Sequence, residues 1–145
     1  MSGEYPDRPI VGVGAVVFRG ERVLLIRRAK PPRAGEWSLP GGAQELGERV
    51  IEAARREVRE ETGLELARVE LLTVVDSIGR DEQGRVRWHY TLIDVWAEAA
   101  AGEAVPGGDA AEVGWFGLDE LEGLGLWSET LRVVRLAAER RAATR

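Results

Sequence analysis

The segment that most constrains this chain is its central helix, because acidic residues occupy positions there that belong to a core stripe. The stretch from about Glu48 to Thr62 has helical periodicity and is stopped by Gly63, the residue type favoured just past a helix C-terminus. At about 100° per residue, Val50, Ile51, Ala54 and Val58 gather on one face, the face expected to pack on the rest of the protein. Glu57 and Glu61 fall on the edge of that face, continuing the series Val50, Ala54, and Glu60 lies beside them. Polar residues at core positions are errors unless they serve a function. All three glutamates also lie in the last two turns, where the helix dipole disfavours anions by ~0.3–1 kcal/mol each. Glu57 and Glu61 form a like-charged i,i+4 pair, a further ~0.2–0.5 kcal/mol. A hard cation would relieve the cluster, since Mg²⁺ takes carboxylate oxygens and keeps its other positions for water and phosphate. A solvated charged face beside Arg55, Arg56 and Arg59 is the alternative, and periodicity alone leaves it open.

Composition narrows the setting. With 145 residues, 44% of them hydrophobic, the chain suits one domain over 1–145, its ends at 1–8 and 141–145 expected to be loose. A net charge of −5 argues against a general nucleic-acid binder, which needs a basic surface. It does not exclude a small anionic substrate, because a bound divalent metal reverses the local field. The absence of cysteine excludes disulfides, thiolate chemistry and zinc-thiolate sites. Met1 to Pro9 carries no apolar run of the signal-peptide kind, and no stretch approaches the ~18 apolar residues of a membrane span. The expectation is a soluble cytoplasmic protein with no membrane partner.

Around the helix, strands and turns alternate. Ile10 to Phe18 and Arg22 to Arg28 read as a hairpin about Arg19-Gly20-Glu21. A Pro/Gly-rich connection from Lys30 to Gly42 carries Trp37-Ser38-Leu39. Leu66 to Ile78 and Val86 to Ala97 flank an Asp81-Glu82-Gln83-Gly84 turn. A short strand near Val113 to Phe116 leads to Asp119 and Glu122, spaced like a capping box, and a last helix runs from about Ser128 to Arg140. Hairpins mixed with interleaved helices predict an α/β fold: a mixed sheet covered by helices on both faces.

Gly42, Glu48, Arg56-Glu57, Val58, Glu60-Glu61, Gly63 and Leu64 stand at the fixed spacings of a Nudix box, with Gly41 before it. Trp37-Ser38-Leu39-Pro40-Gly41-Gly42 and Trp115-Phe116-Gly117-Leu118 add to the match, so nearly the whole chain resembles the Nudix hydrolase family. The resemblance implies an α/β/α sandwich with a loop-helix-loop catalytic motif. It also implies metal-dependent pyrophosphate hydrolysis, with Mg²⁺ as cofactor and Mn²⁺ able to substitute.

By the same resemblance Glu57, Glu60 and Glu61 bind metal, the Gly41 carbonyl helps, and Glu48 adds a weaker contact. Arg56 orients a box carboxylate. The general base is a box glutamate such as Glu57 or Glu60, or a downstream acid, for which Asp109 and Glu112 stand in the expected place. Arg28, and less so Arg27, would hold substrate phosphate, since a guanidinium binds it bidentately. Trp37 is a candidate substrate contact. The flanks look most like small ADP-ribose pyrophosphatases, implying ADP-ribose cleaved to AMP and ribose 5-phosphate. A MutT-type nucleoside triphosphate pyrophosphohydrolase and a non-catalytic nucleotide-binding module remain as alternatives. A small nucleotide is the expected partner, and relatives of the ADP-ribose type are often homodimers.

Overall fold

A computed structural model describes residues 3 to 144. Strand β1 (Ile10–Arg19) turns at Gly20, where φ is 58°, and returns as β2 (Arg22–Arg28). Two short strands follow, β3 (Trp37–Ser38) and β4 (Gly41–Ala43), then helix α1 (Val50–Thr62). A long hairpin of β5 (Leu66–Arg80) and β6 (Val86–Ala99) leads through β7 (Ala110–Gly117) and a 3₁₀ helix (Leu118–Leu124) to α2 (Ser128–Ala143).

β1 and β2 pair only beside their turn, Phe18 with Val23 and Arg19 with Arg22, and then part. β1 continues as the parallel neighbour of β6, from Ile10 opposite Tyr90 to Phe18 opposite Glu98. β4 pairs antiparallel with the first half of β1, while β2 pairs antiparallel with β3 and β7. A parallel pair needs a crossover, and α1 lies in the connection that supplies it. The expected hairpin therefore exists only at its tip, and the site forms where the two strands diverge.

The sheet is mixed and has a core on each face, as the pattern predicts. On one face Ala53, Ala54 and Val58 of α1 meet Val13, Ala15, Val17 and Val95. On the other, Val133, Val134 and Ala137 of α2 meet Val16, Phe18, Leu25 and Trp96. Alternate residues of β1 thus serve opposite cores, the period-two signature of a strand buried on both faces. Among the described residues no helix is long and apolar enough to cross a membrane.

Several boundaries move. Helix α1 begins at Val50, because Arg49 is extended and its N–H goes to Glu52 Oε1 at 3.0 Å. Gly63 ends it in the left-handed region (φ 74°), its N–H on the Arg59 carbonyl. The strand expected near Val113 starts at Ala110, since β2 pairs along all of it. The Asp119–Glu122 capping box is corrected by two residues, to Gly117 and Glu120. Leu118 already opens the 3₁₀ helix, so Glu120 reaches back to the Gly117 N–H (2.8 Å) and Glu122 accepts from Arg135 instead. The ends expected to be loose make specific contacts. Tyr5 donates its hydroxyl to Asp81 and its N–H to the Arg87 carbonyl. Arg141, only 7% exposed, donates twice to Glu98. Met1, Ser2 and Arg145, also expected to be loose, lie outside the described residues.

Candidate active site

Two glycines bring the loop before α1 against the helix's acids. The Gly41 N–H donates to Glu61 Oε1 at 2.8 Å. A Cβ on Gly42 would lie 2.5 Å from the Glu57 carboxyl carbon, and one on Gly41 would run into the Val13 carbonyl. No larger residue fits at either position without moving backbone or carboxylate.

The acids differ in environment. Glu61 is 4% exposed, and burial, opposed by the Gly41 hydrogen bond and reinforced by the charges of Glu57 and Asp109, pushes its pKa up to about 8. Glu57, with a side chain 13% exposed, is also raised, first by burial and then by Glu60 and Asp109, against the pull of Arg56. Glu60 is 53% exposed at the helix rim.

Arg56 ties the cluster together. It grips Glu48 with Nε at 2.7 Å and Nη2 at 3.0 Å, and Nη2 also reaches the Ala43 carbonyl. Its Nη1 holds Glu57 at 2.8 Å and approaches Glu60 at 3.3 Å. Two carboxylates and the loop backbone are thus fixed by one planar guanidinium, a task a lysine cannot copy. Glu48, lowered by Arg56 and by the Glu45 N–H, is committed to this grip.

The loop after β6 completes the surroundings. The Val105 and Gly107 N–H groups cap the Thr62 and Glu61 carbonyls at the end of α1, and a Cβ on Gly107 would lie 2.6 Å from the Glu60 carbonyl oxygen. Gly107 and Gly108 therefore make room for helix backbone. This docking sets Asp109 near the glutamates, where it pairs with Lys30 Nζ at 3.0 Å.

A cavity of about 510 Å³ opens beside Glu61 and Gly41. Arg28 and Asp109 line it, with Arg28 Nε held by the Pro32 carbonyl at 2.7 Å. Arg27 and Glu112 do not line it; they pair with each other at 3.4 Å on the exposed surface. Adjacent positions on a strand point to opposite faces, which separates Arg27 from Arg28, and Glu112 goes with Arg27 as its register partner. Trp37 lines the cavity and packs edge-on against Phe116, their ring centroids 5.1 Å apart. Elsewhere in the lining, Arg33 lies 4.0 Å over the Trp127 ring.

Sequence reasoning missed Lys30, Arg33 and Asp94, all of which line the same cavity. Asp94 carried a signal: it is the lone acid in the apolar run Leu92 to Trp96.

A family model described as the NUDIX domain matches residues 8–136. The chain is 40% identical over 113 residues to an ADP-ribose pyrophosphatase of Methanocaldococcus jannaschii, covering 78% of this chain and 64% of that protein. It is 44% identical over 77 residues to an 8-oxo-dGDP phosphatase of Danio rerio, covering 52% of this chain and 22% of the relative. The crystal structure of a MutT NUDIX hydrolase from Burkholderia pseudomallei matches with a TM-score of 0.78 at 37% identity, covering 90% of this chain and 98% of that one. The chain spans less than two thirds of the length of both curated relatives.

Proposed function

The chain belongs to the Nudix family, and on that premise we propose that it hydrolyses the pyrophosphate bond of ADP-ribose, giving AMP and ribose 5-phosphate. The observation that carries this reading is the packing of Glu57 and Glu61 against Gly42 and Gly41, at the edge of a cavity with aromatic walls that Glu61, both glycines, Arg28 and Asp109 line. The pyrophosphatase of Methanocaldococcus jannaschii supports the choice of ADP-ribose.

Members of this family generally use divalent cations, and the donor set here fits one. Glu57, Glu60 and Glu61 offer hard oxygen donors; burial first, and neighbouring carboxylates after it, raise Glu57 and Glu61, and a cation would favour their ionised forms. Among the described residues no three such side chains already close on one point. Mg²⁺ takes one or two carboxylates directly and completes its shell with water and substrate phosphate. Mg²⁺ is the ion we assign; Glu57, Glu60 and Glu61 would hold it, directly or through water, with the Gly41 carbonyl, and Mn²⁺ would substitute. When bound, it neutralises the pyrophosphate and acidifies water.

The chain's own residues supply the rest. Arg56 fixes Glu57, and Arg28, with only its Nε engaged among the described residues, offers its Nη groups to a phosphate oxygen. Asp109 accepts a proton from the attacking water, whose oxygen bonds to phosphorus. The bridging P–O bond breaks and the departing phosphate keeps the electron pair. Glu112, tied to Arg27 outside the cavity, takes no part.

The Danio rerio phosphatase and the Burkholderia pseudomallei MutT structure favour a second reading, a nucleoside di- or triphosphate substrate. A panel of ADP-ribose and canonical and oxidised nucleoside di- and triphosphates at one Mg²⁺ concentration separates the two, with products resolved by chromatography. A nucleoside di- or triphosphate preferred by about tenfold or more in kcat/KM would overturn ADP-ribose and leave the hydrolase, since specific sites discriminate at least that strongly. No metal-dependent turnover of any nucleotide would leave only a binding module.

A further inference from the structure

Strand β6 carries one acid where its pattern calls for an apolar residue. Leu92, Asp94 and Trp96 share a face by strand alternation, and both neighbours belong to the core on the α2 side. Asp94 is 5% exposed. Among the described residues it has neither a hydrogen bond nor an ion pair, and no backbone N–H turns toward it. The one cation that reaches it electrostatically, Arg132, is held by Glu129 at 2.8 and 3.1 Å. The carboxyl oxygens of Asp94 are not sealed in the core but open to the cavity, so a ligand that enters there can become their partner.

Access comes from the cavity, which Asp94 lines. Its register partner on β1 is Gly14, where a Cβ would sit 2.5 Å from Asp94 Oδ1. The missing side chain at position 14 is therefore the space the carboxyl group occupies. Gly14 is in turn the register partner of Gly41, whose N–H holds Glu61. Asp94 thus stands on the next strand over from the phosphate-binding side of the cavity. The same lining carries the rings of Trp37, Tyr90 and Trp127 and the side chains of Leu39 and Leu92, with the polar Ser77 and Thr130 among them. Aromatic and aliphatic walls with a small number of polar groups among them suit a planar nitrogen heterocycle.

We infer that Asp94 is the base-reading residue of this cavity, its carboxyl group making a two-point hydrogen bond with the ring-nitrogen and exocyclic edge of a purine. The inference rests on reading the cavity as a nucleotide site. Burial lifts Asp94 to about 7, so the group can carry a proton in neutral solution. In that form its O–H donates to a ring nitrogen while its carbonyl oxygen accepts from an exocyclic amine, which is the adenine pattern. Ionised, it accepts two N–H donors, the guanine pattern.

The test compares wild type, Asp94→Asn and Asp94→Ala on ADP-ribose and on its guanine and hypoxanthine counterparts. Binding of free adenosine, guanosine and inosine is followed in parallel by tryptophan fluorescence, which needs no turnover. Wild type should prefer one base. Asp94→Ala should lose about 10- to 100-fold in kcat/KM on that base, mostly through KM, and its ranking of the bases should flatten, as expected for one bidentate contact. Asp94→Asn, with one donor and one acceptor on its amide, should keep adenine and lose guanine. A wild type that prefers guanine or hypoxanthine overturns ADP-ribose as substrate, while a flattened ranking in Asp94→Ala still upholds Asp94. An unchanged ranking in Asp94→Ala, or a wild type indifferent to the base, overturns the inference. Should Asp94→Ala fail to fold, the adenine-to-guanine ratio of Asp94→Asn decides alone.

Discussion

Replacing Asp94 with Asn should stabilise the protein, and by an amount set by pH. Burial raises the Asp94 carboxyl from 3.8 to about 7, and Arg132, facing it from α2 and shared with Glu129, only partly opposes that. Below about pH 4 the acid is protonated whether the chain is folded or not, and it costs nothing. As pH rises from about 4 to 7, the unfolded chain releases this proton while the folded one retains it, so stability falls. Above about 7 both forms are ionised and the loss is complete. A tenfold change in an ionisation constant corresponds to about 1.4 kcal/mol, so the full loss is on the order of 4 kcal/mol. Asparagine keeps the shape and does not titrate. The stability gap between Asp94→Asn and wild type should therefore be roughly 1–2 kcal/mol at pH 5 and on the order of 4 kcal/mol at pH 8. The other groups cancel in the difference. Urea unfolding in EDTA across that range gives the gap directly, and in thermal melts at pH 8 it should appear as a rise of about 10 °C. A gap that stays constant with pH, or an Asp94→Asn protein less stable at pH 8, would refute the reasoning. That outcome would mean the carboxylate finds compensation inside the fold.

Glu57→Gln and Glu61→Gln should each lower Mg²⁺-dependent kcat by at least about 100-fold, since several kcal/mol of charge stabilisation is removed. Mg²⁺ should raise the melting temperature of wild type and not of the double variant; an equal shift in both would place the ion elsewhere. Arg56→Ala frees Glu57 and Glu48 from a largely buried ion pair and should destabilise the chain by about 2–4 kcal/mol, with Arg56→Lys restoring only part, as read from urea midpoints. Asp109→Asn should slow turnover with little change in KM, whereas Glu112→Gln should match wild type. Equal effects would erase the distinction drawn between them.

The sequence carried the helix and its anomaly well, because both depend on local spacing. Val58 and Glu61 lie on one side of α1 whatever surrounds it, and Gly63 stops the helix by its own backbone freedom. Arg28 stood ahead of Arg27 by resemblance, not by local spacing. A register shift between them and the distant partner β7 decide which one meets the cavity. The same holds for Asp109 and Glu112, separated by how the loop before β7 docks on the last carbonyls of α1. The neighbour that Gly107 and Gly108 admit is the Glu60 carbonyl, a contact that no local pattern announces. Local pattern reports the side a residue faces, and only tertiary pairing reports what it meets.

Gly14 and Gly41 show why the heart of the site stays hidden from sequence. They lie far apart in the chain and become register partners only when β4 lies back along β1. One leaves space for the Asp94 carboxyl group, and the other brings its N–H to Glu61. Each acid is buried and raised in pKa, and each is tolerated because a glycine stands where a side chain would collide or hold the backbone away. Both costs fall on the folded state and neither improves packing, so their persistence argues for use. Through one pair of glycines on β1 and β4 the fold thus accommodates an acid of α1 suited to a cation and an acid of β6 suited to a ring edge, both lining one cavity. A ligand that satisfies both must carry phosphate at one end and a hydrogen-bonding heterocycle at the other.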